Sequence, residues 1–274
     1  MNGLGNDFII LDGIHNELPE DLCDFAKKVC ERHFGIGADG VLIVLPSDHC
    51  DIRMRIINSD GTFAQMCGNG IRCFAAYVYE KGFIDKTEMK VETDAGTICP
   101  RLVFNGETVE KVEVDMGVPR LDPVSIPVHI GGEKAIGYPY VFRDEEIELS
   151  CVSMGNPHVV TFWKQLVEAP FDILGPKLEE DSLFPEKTNV EFVEIINDKE
   201  ILVRVFERGC GETLACGTGA CASVVASVLN GYTGREVTVR LPGGNLICHW
   251  SEDDHVVMTG PVAFVAEGLY QYNA

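Results

Sequence analysis

The sequence predicts an α+β protein built from two pseudo-symmetric domains that arose by internal duplication. Three observations predict this: a Cys-Gly-x-Gly turn occurs twice, the residues around it repeat at near-constant spacing, and each copy lies between a strand-like run and a helix-like stripe. Residues 66 to 73 read MCGNGIRC and residues 215 to 221 read ACGTGAC, so Cys67 and Cys216 correspond at an offset of 216 − 67 = 149. At the same offset Arg55 meets Arg204, Gly82 meets Gly231, and Ile98-Cys99 meets Ile247-Cys248. Upstream the offset becomes 150, pairing Gly5-Asn6 with Gly155-Asn156, Phe34 with Phe184 and Asp39 with Asn189, a slip of the kind one loop change produces.

Local patterns follow the same plan. Asp51 to Ile57 and Glu200 to Phe206 are short β-rich runs, each followed by a polar loop and the cysteine turn. Beyond the first turn Ile71, Phe74, Ala75 and Val78 fall at i, i+3, i+4 and i+7, a single apolar stripe that Gly82 ends. Cys221, Val224, Val225 and Val228 repeat that spacing before Gly231, so each helix is expected to turn one face inward. Further strands are expected at Val41 to Leu45, Val112 to Asp115, Val190 to Ile196, Val237 to Leu241 and Val256 to Thr259. An additional helix is expected from Pro19 to about His33, with Pro19 in its first turn. The domains are expected at residues 1 to 117, with residues 263 to 274 returning to the first, and at 118 to 262, joined through a proline-bearing linker near 118 to 150.

Composition narrows the function. With 22 Lys+Arg against 43 Asp+Glu the net charge is -21, which repels a phosphate backbone, and nucleic acid is not an expected partner. The longest apolar runs fall well short of the roughly 20 residues a membrane helix needs, and no basic-then-apolar segment opens the chain, so a cytoplasmic protein without membrane association is expected. In a reducing compartment the 11 cysteines are available for packing, metal or catalysis. Cys23, Cys30, Cys73, Cys99 and Cys221 are expected to pack, and Cys210 is a loop thiol.

Cys67 and Cys216 differ from these because each opens a helix. The positive end of the helix macrodipole and the unpaired amides of the first turn are expected to lower the thiol pKa and to cradle a carboxylate, while the adjacent glycines let a ligand approach the backbone. Two such turns suit a two-base reaction in which one thiolate removes an α-proton and the other thiol protonates the opposite face. No lysine lies in either motif to form a Schiff base, and GIGADG, residues 35 to 40, runs into a strand rather than the helix a nucleotide loop requires. No cofactor and no metal are expected.

The motifs GLGNDF (3 to 8), GIGADG (35 to 40), NSDG (58 to 61), MCGNGIRC (66 to 73), MGNPH (154 to 158), TNVEF (188 to 192), ERGCGET (207 to 213) and ACGTGAC (215 to 221) together resemble those of the diaminopimelate epimerases, over nearly the full length. The resemblance implies interconversion of LL- and meso-2,6-diaminopimelate, in lysine and peptidoglycan precursor synthesis. It implies a homodimer and a fold of two domains, each a curved, barrel-like mixed sheet around a central helix. It assigns Cys67 and Cys216 as the acid/base pair and the backbone of Gly68, Asn69, Gly217 and Thr218 to the reacting carboxylate. Substrate contacts fall to Asn6, Asn58, Asn156, Asn189, Glu207 and Arg208, with Arg208 on the distal carboxylate, and His158 and Glu207 support the cysteines. The chain departs from the family pattern in a first strand that is short or absent, in Asn2 where His is common, and in Gly40 where some members carry Gln. The alternatives are another racemase of the same fold, proline-racemase-like, and a zinc site from Cys67, Cys73, Cys216 and Cys221, whose C-x5-C and C-x4-C spacing is not that of structural zinc.

Overall fold

A computed structural model describes residues 1 to 272 and divides into two compact units, Met1–Asp115 with residues 259 to 272, and Met116–Met258. Residues 273 and 274, the end of the expected returning tail, lie outside the described residues. The chain passes from the second unit back to the first within the strand Val256–Pro261.

In the first unit the strand Asn6–Asp12 pairs parallel with Gly40–Leu45, which pairs antiparallel with Ile52–Asn58. That strand carries the short antiparallel Phe63–Ala64 and the parallel Val91–Thr93, which turns back into Gly96–Ile98. In the second unit Pro157–Phe162 pairs parallel with Asn189–Asn197, which pairs antiparallel with Glu200–Glu207. That strand in turn carries the antiparallel Gly211–Thr213 and the parallel Glu236–Leu241, which turns back into Gly244–Trp250. The sequence of parallel and antiparallel pairings is the same in both units, so the duplication read from a few motifs is a duplication of topology. The mixed α+β class holds, with a curled mixed sheet in each unit.

Two helices serve each sheet: α1 (Leu22–Cys30) and α2 (Gly68–Glu80) in the first unit, α3 (Phe171–Glu179) and α4 (Gly217–Leu229) in the second. Shifted by 149, the bounds of α1 and α2 become those of α3 and α4. The central helices were expected to bury one stripe. Instead Asn69 through Ala76 and Gly219 through Ser227 are buried continuously, because a sheet that curls around a helix covers it on nearly all sides. Small residues at Ala220, Ala222, Ser223, Ala226 and Ser227 let the sheet approach α4, and the Ser223 and Ser227 hydroxyls donate to carbonyls one turn back, at 2.8 and 2.7 Å, so no polar atom is stranded there.

Three further expectations change. The helix placed at Pro19 to His33 begins only at Leu22: the Asp21 carboxylate caps the Asp24 amide at 2.9 Å, leaving Pro19 outside. The stretch near 118 to 150, expected as a linker at the start of the second domain, is folded structure: it holds the strand Tyr138–Phe142 and the start of Glu145–Ser153, and buries Ile126 and Ala135 completely. Helix α3 was not expected at all. It buries Phe171, Leu174 and Leu178 against Phe192, and Gly175 sits so close to Phe206 that a Cβ there would lie 3.0 Å from the ring. The first strand is two residues, Asn2–Gly3, paired with Asn6–Asp12.

Candidate active site

Cys67 and Cys216 each occupy the N-cap of a central helix in extended conformation, at φ −144° and −121°. Each sulfur accepts the amide proton of the third helical residue, Gly70 or Gly219, at 3.4 Å. The cap holds the sulfur beside the first-turn amides of Gly68 and Asn69, or of Gly217 and Thr218, which have no carbonyl partner in their own helix. An anion beside those amides would also feel the positive helix end.

Around Cys67 the orientation of every amide follows from its neighbours. Asn6 Nδ2 donates to Asp39 Oδ2 at 2.7 Å, and because a carboxylate only accepts, Asn6 Oδ1 must point the other way. It faces Asn69 Nδ2 at 3.2 Å and the Cys67 sulfur at 3.6 Å. Arg72, fully buried, gives the same answer from the opposite side, donating to Asn69 Oδ1 at 2.9 Å and to the Gly68 carbonyl at 3.0 Å. Asp39 is itself held by Arg32, which also grips Asp7 with two nitrogens. Asn58 donates to Thr62 Oγ1 at 3.0 Å.

Around Cys216 the partners differ. Its sulfur lies 3.5 Å from Thr218 Oγ1, which accepts from Asn156 Nδ2 at 3.4 Å. Asn156 Oδ1 meets His158 Nε2 at 2.9 Å, and His158 Nδ1 meets Glu191 Oε1 at 2.6 Å, with both side chains wholly buried. Asn189 donates to the Pro157 carbonyl at 2.8 Å and accepts the Arg208 amide at 3.0 Å. The Arg208 guanidinium is exposed and donates to the Glu186 carbonyl at 2.9 Å, while Glu207 Oε1 accepts from Thr213 at 2.5 Å.

One electrostatic expectation fails. The helix end was expected to lower the thiol pKa, but Cys216 is pushed well above the ordinary thiol range by burial first, and then by the carboxylates of Glu207 and Glu191. The bonds from Thr218 and the Gly219 amide pull it down and do not prevail. Burial at this position therefore favours the neutral thiol over the thiolate. Of the cysteines expected to pack, Cys30, Cys73 and Cys221 are buried, Cys23 is half-buried and Cys99 is exposed between two short strands. Among the described residues no three His, Cys, Asp or Glu side chains cluster as a metal-holding group. No helix among them is long and apolar enough to cross a membrane.

The model of the diaminopimelate epimerase family matches residues 1 to 121 and 150 to 265. The chain belongs to that family. It is thus an isomerase of the epimerase type. A diaminopimelate epimerase from Desulfitobacterium hafniense is 51% identical over 272 residues, covering 98% of this chain and 96% of its own. Among solved structures, a predicted epimerase from Pseudomonas aeruginosa is similar at a TM-score of 0.68 and 16% identity, over 98% of this chain and 94% of that one. A probable proline racemase from Agrobacterium radiobacter is similar at 0.63 and 16%, over 95% and 86%. At such identities these two likenesses concern the fold.

Against the family reading, the structure adds residues that the motifs alone did not single out. Glu191, Asp39, Arg72 and Thr213 each fix the orientation of a residue expected at the site. Glu191 carried a signal in the sequence, a carboxylate inside the apolar run Val190-Glu191-Phe192-Val193. At Gly40 a Cβ would lie 2.8 Å from the Ile57 carbonyl oxygen, a backbone reason for glycine in this chain.

Proposed function

We propose that the chain interconverts LL- and meso-2,6-diaminopimelate without a cofactor, using Cys67 and Cys216 as the acid/base pair. The observation that carries this reading is the equivalence of the two sulfurs, each capping a helix and each bonded to the amide three residues on at 3.4 Å. In each turnover one cysteine, as thiolate, takes the α-proton and becomes a thiol, while the other, as thiol, gives its proton to the opposite face and becomes a thiolate. The reverse reaction exchanges the roles. The burial that raises the Cys216 pKa suits this residue to the proton-donor role.

The α-carbanion is costly, and its charge spreads onto the carboxylate. First-turn amides of Gly68, Asn69, Gly217 and Thr218 stabilise it there, where the helix dipoles are strongest. The exposed guanidinium of Arg208 suits the distal carboxylate, with Glu207 and the side chains of Asn6, Asn58, Asn156 and Asn189 as further substrate contacts. Such a product serves lysine and peptidoglycan precursor synthesis.

Exchange of the α-proton with deuterated water tests the reading, with LL-diaminopimelate as substrate and proline as control. Exchange is expected with the former alone, and Cys67→Ala and Cys216→Ala are each expected to abolish epimerisation in a folded protein. A reduced wild-type sample that exchanges proline but not diaminopimelate would overturn the substrate, and full epimerase activity in either variant would overturn the two-base mechanism.

A further inference from the structure

We propose that Glu191 is a positioning residue for Cys216, acting through His158, Asn156 and Thr218 to aim the Thr218 hydroxyl proton at the Cys216 sulfur. The proposal rests on reading Cys216 as an acid/base group. It starts from a buried carboxylate with no packing reason to be there: Glu191 is wholly buried, and its Oε2 has no hydrogen-bond partner. Leaving such an atom dry is unfavourable, so the residue is not explained by stability.

The duplicated fold supplies an internal comparison. Strand register equates the pair Leu42 and Ile56 with Glu191 and Val205, and the pair Phe8 and Gly40 with His158 and Asn189, so Asn189 corresponds to Gly40 and not, as the motif spacing suggested, to Asp39. The helix glycines agree, since a Cβ on Gly70 would meet Leu42 and Phe8, and one on Gly219 would meet Glu191. The fold therefore accepts a Phe and Leu pair beneath the cysteine turn in one unit and carries a His and Glu pair in the other. Packing can be met by apolar residues, and the polar pair has another use.

Its use follows from proton positions. At 2.6 Å the His158 Nδ1 and Glu191 Oε1 share one proton. A second proton on Nε2 makes the buried pair neutral as a whole, which a wholly buried site favours over a net negative charge. Nε2 then donates to Asn156 Oδ1, which turns Asn156 Nδ2 to the Thr218 oxygen. With its oxygen accepting, the hydroxyl has its own proton free for the sulfur at 3.5 Å. The line of donors thus ends on Cys216 and favours its thiolate as that charge forms. At Cys67 the corresponding place is taken by an acceptor, Asn6 Oδ1.

The groups acting directly on Cys216 are Glu191 from one strand, Glu207 from the next, and Thr218 and the Gly219 amide from α4, while His158 lies behind Glu191 and Asn156. Three effects of replacing Glu191 are therefore separable by sign. Loss of the relay raises the pH at which Cys216 ionises, loss of a direct carboxylate charge lowers it, and loss of mere packing leaves it in place.

The test is the pH dependence of iodoacetamide alkylation, resolved at Cys216 and Cys67 by mass spectrometry, on the full chain without substrate. Glu191→Leu, which copies Leu42, and Thr218→Val are each expected to raise the Cys216 midpoint by about one pH unit. Thr218→Ser should stay at the wild-type midpoint, and Cys67 should not move in any of them. Because the residues act in series, the Glu191→Leu, Thr218→Val double variant should shift no further than Thr218→Val alone. A Cys216 midpoint that falls or stays put in folded Glu191→Leu, or additive shifts in the double variant, would overturn the proposal. Should Glu191→Leu not fold, nitrogen NMR of wild-type His158 decides instead: a protonated Nε2 is expected, and an unprotonated one ends the relay. None of these readouts needs turnover, so failure of the epimerase reading would register separately, as absent α-proton exchange.

Discussion

The glycine at the third position of each central helix lies against a different wall in the two units, and the difference decides what a single methyl group does. At Gly70 a Cβ would lie 3.3 Å from the terminal methyl of Leu42 and 3.4 Å from the Cys67 Cβ, contacts that a small side-chain shift relieves. At Gly219 it would lie 2.8 Å from Glu191 Oε1, which is held by a 2.6 Å bond to His158 and cannot swing away cheaply. Gly→Ala inside a helix ordinarily stabilises by up to about 1 kcal/mol. Gly70→Ala is accordingly expected to leave the urea midpoint nearly unchanged. Gly219→Ala is expected to lose about 1 to 3 kcal/mol through overpacking. Equal midpoints for the two variants would show that Glu191 is not fixed in place. The same contact explains why a residue with no hydrogen bond to Cys216 still reaches the amide that caps its sulfur.

At the scale of elements the two central helices end as alike as they begin. Gly82 and Gly231 stand in the left-handed region at φ 73° and 75°, their amides bonding Tyr79 and Val228, while the amides of Phe83 and Tyr232 reach back to Val78 and Ser227. A Cβ at either glycine would meet nothing within 4 Å, so Gly82→Ala and Gly231→Ala are each expected to cost about 1 kcal/mol through the backbone alone, and a thermal melt unchanged in both would contradict that origin. These stops were legible because glycine after an apolar stripe has one common use. Helix α3 was not: Gly175 and Pro176 interrupt its nine residues, and propensity reads such a pair as a loop. The repeat could have found it, since Phe171, Leu174 and Leu178 fall opposite Leu22, Phe25 and Val29 at the offset of 149. The cysteine turns and the asparagines were visible as motifs. What could not be read was the enclosure of the central helices, because curvature of a sheet leaves no period in the sequence, and the raised pKa of Cys216, because burial arises from strands far along the chain.

For the whole molecule, the buried thiols set a limit on the alkaline side. Burial pushes Cys30 up to about 11 and Cys73 and Cys151 up to about 12, and it raises Cys216 as well, against 9.0 for an ordinary thiol. A thiol whose folded pKa exceeds its unfolded value binds its proton more tightly in the folded state. Its contribution is complete below pH 9 and is lost as pH rises from there toward the folded value, because unfolding then releases protons into a solution that favours their release. Each such thiol is expected to remove about 1 kcal/mol of stability per pH unit through that window. The excess of acidic side chains acts in the same direction, since lysines that discharge near pH 10 leave a chain already at -21 still more negative. The two causes separate by mutation. In reducing buffer, the urea midpoint of the wild type is expected to fall steeply between pH 9 and 10.5. The Cys30→Ala, Cys73→Ala, Cys151→Ala triple variant, less stable at pH 8 because it has lost buried sulfur, is expected to fall less over the same range while keeping the charge-driven part. Parallel curves for the two proteins would assign the alkaline loss to net charge alone and leave the buried thiols with no part in it.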